Sequence, residues 1–388
     1  MNSNWTYKKL GELGQVITGS TPATKDSRNY TSQDVCFFKP SDFDANSFTV
    51  LKSSEYHISQ YAYEHSRQLP KDSILTTCIG IIGKVGILDN DATCNQQINA
   101  IIPNREIIVP RFLGYSIMSI KKILTETANA PVVPLLNKSQ FSSISIPVPS
   151  LVEQQAIVNE LDTIHSVLDK QNAQLLELDK LAQAVFYDMF GDPSVNEKGW
   201  EMKTFGDVGT FKRGGGFLKS DFVEHGIPCI HYGQIHTKFG SYITSHISEI
   251  SPALSNKTRF ASNGDLILAI TSEDVEGSCK STAWMGNYDV AVGAHAAIFK
   301  HSQNAIYLSF YTRTKAFFHG KERYARGFKV VEIKPDDIAK IPLMLPPVEL
   351  QQQFAERVEA IEQQKQLLRQ SIRETEKLLA ARMQYYFD

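Results

Sequence analysis

The chain has 388 residues, a formal net charge of −2, 42% hydrophobic residues and 21% charged residues. These values are ordinary for a folded globular protein and argue against wholesale disorder. No apolar run approaches the ~18 residues that a membrane-spanning helix needs. At roughly 150 residues per domain, the length predicts two or three domains. We expect a cytoplasmic protein, because no signal-peptide pattern opens the chain and the five cysteines form no CxxC pair that would indicate a zinc cluster or a disulfide framework.

An internal repeat organises the chain. Residues 144–155 match residues 341–352 at an offset of 197, and residues 5–19 match residues 200–214 at an offset of 195. Between these blocks the two halves diverge almost completely. Each unit is domain-sized and far longer than the ~20–50 residues of a solenoid repeat. The pattern predicts two equivalent modules with a shared framework at their edges and different recognition residues inside; an old duplication without functional meaning is the alternative.

A strand and a long helix close each repeat. Residues 144–148 alternate apolar and polar, which predicts a strand, and Pro147 places that strand at an edge. Ser150 and Glu153 have the spacing of a helix capping box, and residues 191–193, Gly-Asp-Pro, form a stop signal. A second strand and helix follow at the repeated positions. Each helix is predicted to span about 38 residues, or about 57 Å at ~1.5 Å per residue.

Apolar residues recur along both helices in steps of four and three, the spacing of a coiled-coil seam. Two such helices in one chain most simply pair with each other. Polar residues interrupt the seam at Gln171, Lys365, Thr375 and Arg382, where they could fix the register or face a partner protein. The predicted seam consists of Ile157, Leu161, Ile164, Leu168, Gln171, Leu175, Leu178, Ala182, Val185 and Met189, and of Phe354, Val358, Ile361, Lys365, Leu368, Ile372, Thr375, Leu379, Arg382 and Tyr386.

The module interiors are predicted to be rich in short strands, each with one amphipathic helix before the closing strand. We therefore predict an α+β protein in which two pseudo-repeated, mixed, strand-rich domains are separated by two long helices that pair as an antiparallel coiled coil. The predicted domains are 1–149 and 193–346, and the predicted helical segments are 150–192 and 347–388. Predicted interior strands are 35–38, 73–79, 85–88, 97–102, 265–271 and 290–300, and the amphipathic helices are 110–124 and 306–318.

No catalytic motif emerges from the sequence. Residues 78–85 resemble a phosphate-binding loop but begin with Cys78 and end with Val85, where the motif needs Gly and Ser or Thr. The chain has neither a GxGxxG dinucleotide motif nor an adenine-methyltransferase motif. Residues 332–334, Glu-Ile-Lys, match a fragment of a nuclease motif without its acidic partner. His231 and His236 lack a third metal ligand nearby, so we predict no metal site.

The glycine-rich loops are the candidate DNA contacts. Residues 19–25 and 212–219 occupy the same position in the repeat, and both are polar and cationic, which suits phosphate contacts. The amides of residues 95–97 could bond adenine in the major groove, and His231, Gln234 and His236 are comparable candidates in the second module. Structural turns without a ligand are the alternative. The candidate DNA contacts are Ser20, Thr21, Lys25, Lys84, Asn95, Gln96, Gln97, Lys212, Arg213, Lys219, His231, Gln234 and His236.

The arrangement resembles the specificity subunit of type I restriction-modification systems. The resemblance is carried by residues 10–14 and 205–209, which open the modules, and by residues 146–155 and 345–352, where Pro and then Gln-Gln introduce each helix. It covers nearly the whole chain. It implies that each module is a target recognition domain and that each helix is a spacer.

The resemblance also implies a division of labour among subunits. The specificity subunit would be non-catalytic and read a bipartite, asymmetric site in double-stranded DNA, one half per module. Its helices would set the spacing and dock two modification (methyltransferase) subunits, which restriction (translocase/endonuclease) subunits then join. S-adenosylmethionine, ATP and magnesium would be bound by those partners and no cofactor by this chain. Candidate docking residues on the helices are Gln154, Gln155, Gln351, Gln352, Lys365 and Arg382.

Two other functions stay open at this point. The chain could be the recognition part split from a fused restriction-methylation enzyme, with residual nuclease function, or a coiled-coil scaffold that does not bind DNA. Residual cleavage by the purified chain would favour the first, whereas salt-dependent DNA binding would exclude the second.

Overall fold

The computed structural model describes residues 5–44, 47–128, 133–327 and 329–387, without the side chain of Lys219. The chain divides into two compact units, Met1–Asn172 with Gln370–Asp388, and Ala173–Arg369. Each long helix therefore contributes to both units. The domain boundaries expected from the sequence, which keep each helix whole, stay a prediction.

The first unit contains two sheets and a separate strand pair. The strands are β1 (Thr6–Lys9), β2 (Gly14–Thr18), β3 (Val35–Phe38), β4 (Thr49–Leu51), β5 (Tyr56–Ile58), β6 (Ile74–Thr77), β7 (Val85–Leu88), β8 (Thr93–Cys94), β9 (Ile98–Pro103) and β10 (Ser145–Val148). The larger sheet has the order β2-β9-β6-β7-β4, and the smaller sheet has the order β5-β3-β8. The separate pair consists of β1 and β10. The β3–β8 pair is parallel, which brings the carboxyl ends of these two strands to the same edge of the sheet.

Helices cover the larger sheet of the first unit. They are α2 (Pro110–Ser119), α3 (Lys121–Thr127), α4 (Lys138–Ser143) and the start of α5 (Leu151–Phe190). The short helix α1 (Gln60–Glu64) packs against the smaller sheet instead, where Ala62 is buried with Phe37 and Ile58. The core contains fully buried Phe112, Tyr115 and Phe141, and Leu161 of α5 packs into it. The single helix predicted over 110–124 is wrong, because the backbone leaves helical geometry at Ile120 and a second helix begins there.

The second unit repeats this plan with additional edge strands. Its strands are β11 (Glu201–Thr204), β12 (Gly209–Arg213), β13 (Phe222–Val223), β14 (Ile227–Ile230), β15 (Tyr242–Ile243), β16 (Ser248–Ile250), β17 (Arg259–Ala261), β18 (Leu266–Ala269), β19 (Thr271–Ser272), β20 (Lys280–Trp284), β21 (Val290–Val292), β22 (Ala296–His301), β23 (Val331–Glu332) and β24 (Pro342–Leu345). Its helices are α6 (Phe205–Val208), α7 (Tyr232–Thr237), α8 (Ala305–Tyr311), α9 (Lys315–Glu322), α10 (Pro335–Ile338) and α11 (Val348–Phe387), together with the end of α5.

Two predictions for the second unit are wrong, because a turn interrupts each predicted element. The helix predicted over 306–318 is two helices, because the Thr314 side chain caps a new helix by accepting from the Phe317 amide at 3.3 Å. The strand predicted over 290–300 is interrupted between β21 and β22, where a turn forms at residues 293–295. The predicted strands at 35–38 and 85–88 match β3 and β7.

Both units share one sheet order. The sheet β12-β22-β18-β20-β15 follows the order of β2-β9-β6-β7-β4 strand for strand. In the smaller sheets, β14 runs parallel to β21 as β3 runs parallel to β8, and β13 and β17 are added in the second unit. The divergent interiors of the sequence repeat therefore have a common topology, which the sequence comparison did not predict.

The two long helices confirm the predicted repeat. α5 and α11 each have 40 residues. α5 begins with the predicted capping box, in which the Glu153 carboxylate accepts from the Ser150 amide at 3.1 Å. It ends at Phe190, before Gly191, whose φ of 77° lies in the left-handed region that glycine favours at helix ends.

The predicted seam is also confirmed, because every residue in it is buried or half-buried. In the first unit, Gln171 donates to the Ser371 hydroxyl at 2.8 Å and Arg382 is paired with Glu160. In the second unit, Lys365 bonds Asp179 at 2.6 Å. Early residues of α5 thus meet late residues of α11, and the reverse, so the helices pair antiparallel. Among the described residues, no helix is long and apolar enough to cross a membrane.

Candidate nucleic-acid interface

Three segments of the first unit converge at the edge where parallel strands β3 and β8 end. They are the glycine-rich loop 19–25 after β2, the turn 95–97 after β8, and Lys39 after β3. The Ser20 amide donates to the Cys94 carbonyl at 2.9 Å, and the Asn95 amide donates to the Phe38 carbonyl at 3.0 Å. The three segments form one continuous polar edge, which we call the first reading edge.

The second unit builds an equivalent edge. The loop 214–219 follows β12, the turn 293–295 follows β21, and His231 follows β14. The Gly215 amide donates to the Val292 carbonyl at 2.8 Å, and the Gly293 amide donates to the Ile230 carbonyl at 3.1 Å. We call these segments the second reading edge.

Gly19 and Gly214 make the convergence possible. A Cβ atom at Gly19 would lie 2.2 Å from the Asn95 carbonyl oxygen, and one at Gly214 would lie 2.3 Å from the Gly293 carbonyl oxygen. Any side chain would therefore push the loop away from the turn. This explains why the sequence repeat retains glycine at both positions although the residues that follow differ.

Exposed polar groups dominate the first reading edge. Thr21 donates to the Gln96 side chain at 2.6 Å, both side chains are exposed, and Lys25 is exposed beyond them. Ser20 and Gln97 are half-buried, whereas Asn95 is buried and its amide donates to Gln97 at 2.8 Å. Asn95 therefore holds the turn, and Gln96 is the amide that is presented to solvent.

The Lys84 side chain makes hydrogen bonds within the first unit. Its ammonium group donates to the carbonyls of Pro40 at 3.1 Å and Phe43 at 3.0 Å. Lys280 of the second unit plays the same part and donates to the His236 carbonyl at 2.8 Å. Two of the three donors of Lys84 therefore hold the chain that follows β3, and a contact of Lys84 with DNA stays a prediction.

The second reading edge is aromatic and cationic. Lys212 is exposed, while Arg213 bonds the Ala294 carbonyl at 2.7 Å and the Glu332 carboxylate at 2.9 Å. Gln234 accepts from the His231 amide at 2.9 Å and donates to Ser248 at 2.8 Å, so its side chain fixes the start of α7.

The histidines of this edge surround one tyrosine. The Tyr232 ring lies 4.5 Å from the His231 ring and 6.0 Å from the His236 ring. His236 also lies 3.0 Å from the Thr271 carbonyl. His295, at 5.0 Å from Tyr232, completes the group and was missed from the sequence because its turn was predicted as strand. Within the described residues, no group of three or more His, Cys, Asp or Glu side chains could hold a metal ion.

A groove of about 250 Å³ adjoins the first reading edge. Ser20 and Thr21 form one side, and Tyr61 and His65 of the α1 region form another. Arg28 lies 4.5 Å above the Tyr61 ring and bonds Asp26, which lowers the pKa of that carboxyl group. Lys39, whose ammonium lies 3.0 Å from the Tyr56 ring centre, and Arg67, which donates to the Thr18 carbonyl at 2.5 Å, also lie beside this edge and were not predicted.

Three cysteine thiols are buried in the cores of the two units. Burial raises the pKa of Cys78 and of Cys94 to about 12, so both thiols stay protonated near neutral pH. Burial raises the pKa of Cys279 in the same way. These thiols are core residues.

The first glutamine of each Gln-Gln pair is an internal clamp. Gln154 accepts from the Val109 amide at 2.7 Å and donates to the Pro149 carbonyl at 2.9 Å. Gln351 accepts from the Asn304 amide at 3.0 Å and donates to the Pro346 carbonyl at 2.9 Å. Both side chains are completely buried, so the prediction that they face a partner is corrected. Gln155 and Gln352 are exposed and stay candidates.

The two cationic docking candidates are paired within their own units. Lys365 is buried between Glu362 and Asp179, at 2.5 and 2.6 Å. Arg382 bonds Glu160, and a second guanidinium nitrogen donates to that carboxylate at 2.8 Å and to the Tyr386 hydroxyl at 2.7 Å. The pKa of Glu160 is lowered, first by the hydrogen bond from Arg382. Both cations therefore serve the seam.

Comparison with known proteins gives one consistent result. A model of the type I restriction modification DNA specificity domain matches residues 2–178 and 197–377. The MjaIX specificity subunit of Methanocaldococcus jannaschii is 30% identical over 224 residues, 53% of this chain and 51% of that protein. The HindI specificity subunit of Haemophilus influenzae is 34% identical over 149 residues, 38% of this chain and 32% of that protein. The matched regions thus span about half of the first relative and about a third of the second.

Solved structures agree on the fold. A chain from a structure of complex assembly and conformational transition in the type I R-M system has a TM-score of 0.61 at 18% identity, covering 99% of this chain and 97% of that one. The S subunit of a type I restriction-modification system from M. genitalium has a TM-score of 0.56 at 14% identity, covering 100% and 97%. The predicted family and the two-domain fold with paired helices are confirmed. The match to both repeats means that this chain belongs to the type I restriction-modification DNA specificity family.

Proposed function

We propose that this chain is the sequence-recognising, non-catalytic subunit of a type I restriction-modification complex. Each unit reads one half of a bipartite, asymmetric site in double-stranded DNA through its reading edge. The observation that carries the proposal is the repetition of one sheet order with different side chains at the same edge, Thr21 and Gln96 in one unit and His231 and His295 in the other. Equivalent frames with different contact groups suit two different half-sites.

The chemistry of the edges fits DNA. Hydroxyl groups, backbone amides and cations bond phosphate oxygens and fix orientation, whereas side-chain amides discriminate between base edges. The first edge offers Thr21, Gln96 and Lys25, and the second offers Lys212 and the three histidines around Tyr232. Because the net charge of the chain is −2, DNA binding depends on local positive patches rather than on a positive field over the whole protein.

We further propose that the paired helices set the distance between half-sites and dock two modification subunits. Repetition supports the docking proposal, since two equivalent surfaces suit two copies of one partner. Exposed residues at repeated positions include Gln155 with Gln352 and Leu181 with Leu378, the leucines being 45% and 51% exposed. S-adenosylmethionine, ATP and magnesium would belong to the partner subunits.

Sequencing of methylated adenines in the host genome tests the proposed function. The same strain is sequenced with this gene intact and with the gene deleted. We expect one bipartite motif to be methylated only when the gene is present. Methylation of the same motif without the gene would refute the proposal, and DNA cleavage by the purified chain alone would favour the split-enzyme alternative.

A further inference from the structure

A cationic groove lies beside the second reading edge. Its volume is about 460 Å³, and the residues that line it are Lys212, Thr258, Arg259, Phe260, Ile298 and Lys300. Lys212 belongs to β12, Arg259 to β17 and Lys300 to β22, so three separate strands each contribute one cation. Arg259 and Lys300 were not among the residues predicted to bind DNA.

Strand register places two of these cations on one face. Thr210 is paired with Lys300 across β12 and β22, and Lys212 is paired with Ile298. Because side chains two residues apart on a strand share a face, Lys212 and Lys300 lie on the same side of this sheet. Exposed cations held together on one face repel each other unless an anion lies between them.

The glycine-rich loop connects the groove to the reading edge. A Cβ atom at Gly215 would lie 2.5 Å from the Thr258 Cα atom and 2.7 Å from the Lys257 carbonyl oxygen, so the loop contacts the start of β17 directly. Gly215 also forms a bridge with Gly293 in the turn of the second reading edge. One segment therefore contacts both the turn 293–295 of the second reading edge and the strand that carries Arg259.

The groove is short of internal anions. Lys300 has Asp265 at 3.6 Å, a loose pair, and Lys300 is exposed. Within the part of the chain that the structure describes, the side chains of Lys212 and Arg259 have neither an ion pair nor a hydrogen bond, and the Thr258 hydroxyl is buried without a hydrogen-bond partner. The Thr258 hydroxyl, Lys212 and Arg259 are therefore hydrogen-bond donors that lie close together and have no acceptor among the described residues.

We propose that Lys212, Arg259, Lys300 and the Thr258 hydroxyl bind a phosphate group of the DNA backbone next to the half-site that the second unit reads. This inference rests on the proposed function and adds a phosphate site to it. A phosphate oxygen accepts from guanidinium, ammonium and hydroxyl donors at once, and the groove offers all three. Such a contact fixes the position of the unit on the duplex and carries no sequence information.

Salt titration of DNA binding tests the proposal. The full-length chain, co-expressed with its modification subunits, is titrated with duplexes that contain or lack its methylated motif, over a series of salt concentrations. The variants are Lys212→Gln, Arg259→Gln and Thr258→Val. The matched control is Lys315→Gln, which removes the same charge from an exposed position on α9, a helix that packs against β24.

We expect Arg259→Gln and Lys212→Gln each to weaken binding to both duplexes by a similar factor. The slope of log affinity against log salt should fall in each variant, by at most about one, since the single phosphate that these cations share contributes about 0.9 to that slope. Thr258→Val should weaken binding without changing the slope, and Lys315→Gln should change neither. The methylated motif should stay the same in every variant.

Unchanged affinity and slope in Arg259→Gln and Lys212→Gln would overturn the phosphate site while leaving the proposed function intact. Failure of the wild-type complex to distinguish the two duplexes would instead refute the proposed function. Titration with tripolyphosphate separates a backbone phosphate from a free one. Tight, saturable binding of tripolyphosphate that Arg259→Gln abolishes, with DNA binding unaffected, would also overturn the proposal.

Discussion

Single residues explain why the family signature contains a glutamine after the proline. Gln154 and Gln351 each bond the amide that opens a helix of the neighbouring layer and the carbonyl of the proline before their own helix. An amide side chain suits this position because its oxygen accepts one hydrogen bond while its nitrogen donates another. The sequence showed the repetition of this residue, but the burial that makes it a clamp depends on packing from residues about 45 positions away.

We expect Gln154→Ala and Gln351→Ala each to destabilise the chain by about 1–3 kcal/mol, because each leaves a buried amide and carbonyls without partners. Chemical denaturation measures the loss. Gln155→Ala is the matched control, since Gln155 is exposed, and it should change stability by less than about 0.5 kcal/mol. Equal effects at positions 154 and 155 would contradict the clamp.

The Glu160–Arg382 pair predicts a pH dependence. The pKa of Glu160 lies below its ordinary value of 4.5, so the folded chain binds this proton less readily than the unfolded chain does. The pair therefore stabilises the fold above about pH 4.5, and this contribution is lost as the pH falls through the lower, folded-state pKa.

Arg382→Met should lower the free energy of unfolding near neutral pH only slightly, because the pair is partly exposed and water screens the attraction between its charges. The difference from the wild type should shrink as the pH falls below 4.5. Arg373→Met, an exposed position on the same helix, is the control. A difference that stays constant down to acidic pH would show that Arg382 acts through packing alone.

At the scale of elements, the periodicity of the sequence predicted the long helices and their ends well. Steps of four and three are a local signal, and so are Ser150, Glu153 and Gly191 at the helix ends. The shared sheet order of the interiors could not be predicted, because it arises from pairing between distant strands whose side chains differ. The reading edges were predicted only in part, since Lys39 and His295 come next to the glycine loops through that pairing.

The helices should act as a ruler between half-sites. Inserting four residues after Gln171 and four after Ser371, the pair that bonds across the seam, lengthens the helix pair by about 6 Å at ~1.5 Å per residue. At ~3.4 Å per base pair, the unread gap of the methylated motif should lengthen by one or two base pairs. The bases read at each end should not change.

Methylome sequencing of cells that carry the double insertion measures this gap. Insertion after Gln171 alone is the control, and we expect it to abolish methylation because it shifts one side of the seam against the other. An unchanged gap with methylation intact in the double insertion would show that the helices do not set the distance.

Docking of partners should depend on exposed residues at repeated positions. The end of α11 is unsuitable for a docking test, because Leu379, Met383 and Phe387 pack against the core of the first unit and their removal would disturb folding. Leu181→Glu and Leu378→Glu alter exposed positions instead. We expect each to remove one of two modification subunits, and the double variant to remove both, as measured by light scattering.

Leu176→Glu is the control for docking. Leu176 is 62% exposed but corresponds to Arg373 in the other repeat, so it lacks an apolar equivalent. It should leave a two-to-one assembly intact. The same assembly in the Leu181→Glu, Leu378→Glu double variant would contradict docking through these leucines.

At the scale of the whole molecule, the central claim is that two units of one design read two different half-sites. The duplication visible in the sequence extends to sheet order, strand register and the position of the reading edges. What differs is the set of side chains at each edge. The DNA sequence recognised cannot be predicted from these residues, because the same amide or cation can bond more than one base and its choice depends on groove geometry.

The most direct measurement is methylome sequencing of cells in which residues 20–130 are replaced by the corresponding segment of a relative with a different motif. This segment contains the first reading edge except Gly19, and the replacement leaves β1, β10 and the two long helices α5 and α11 unchanged. We predict that one half of the methylated motif changes to that of the relative, while the other half and the gap between them stay the same. A change in both halves, or in neither with methylation intact, would contradict the account.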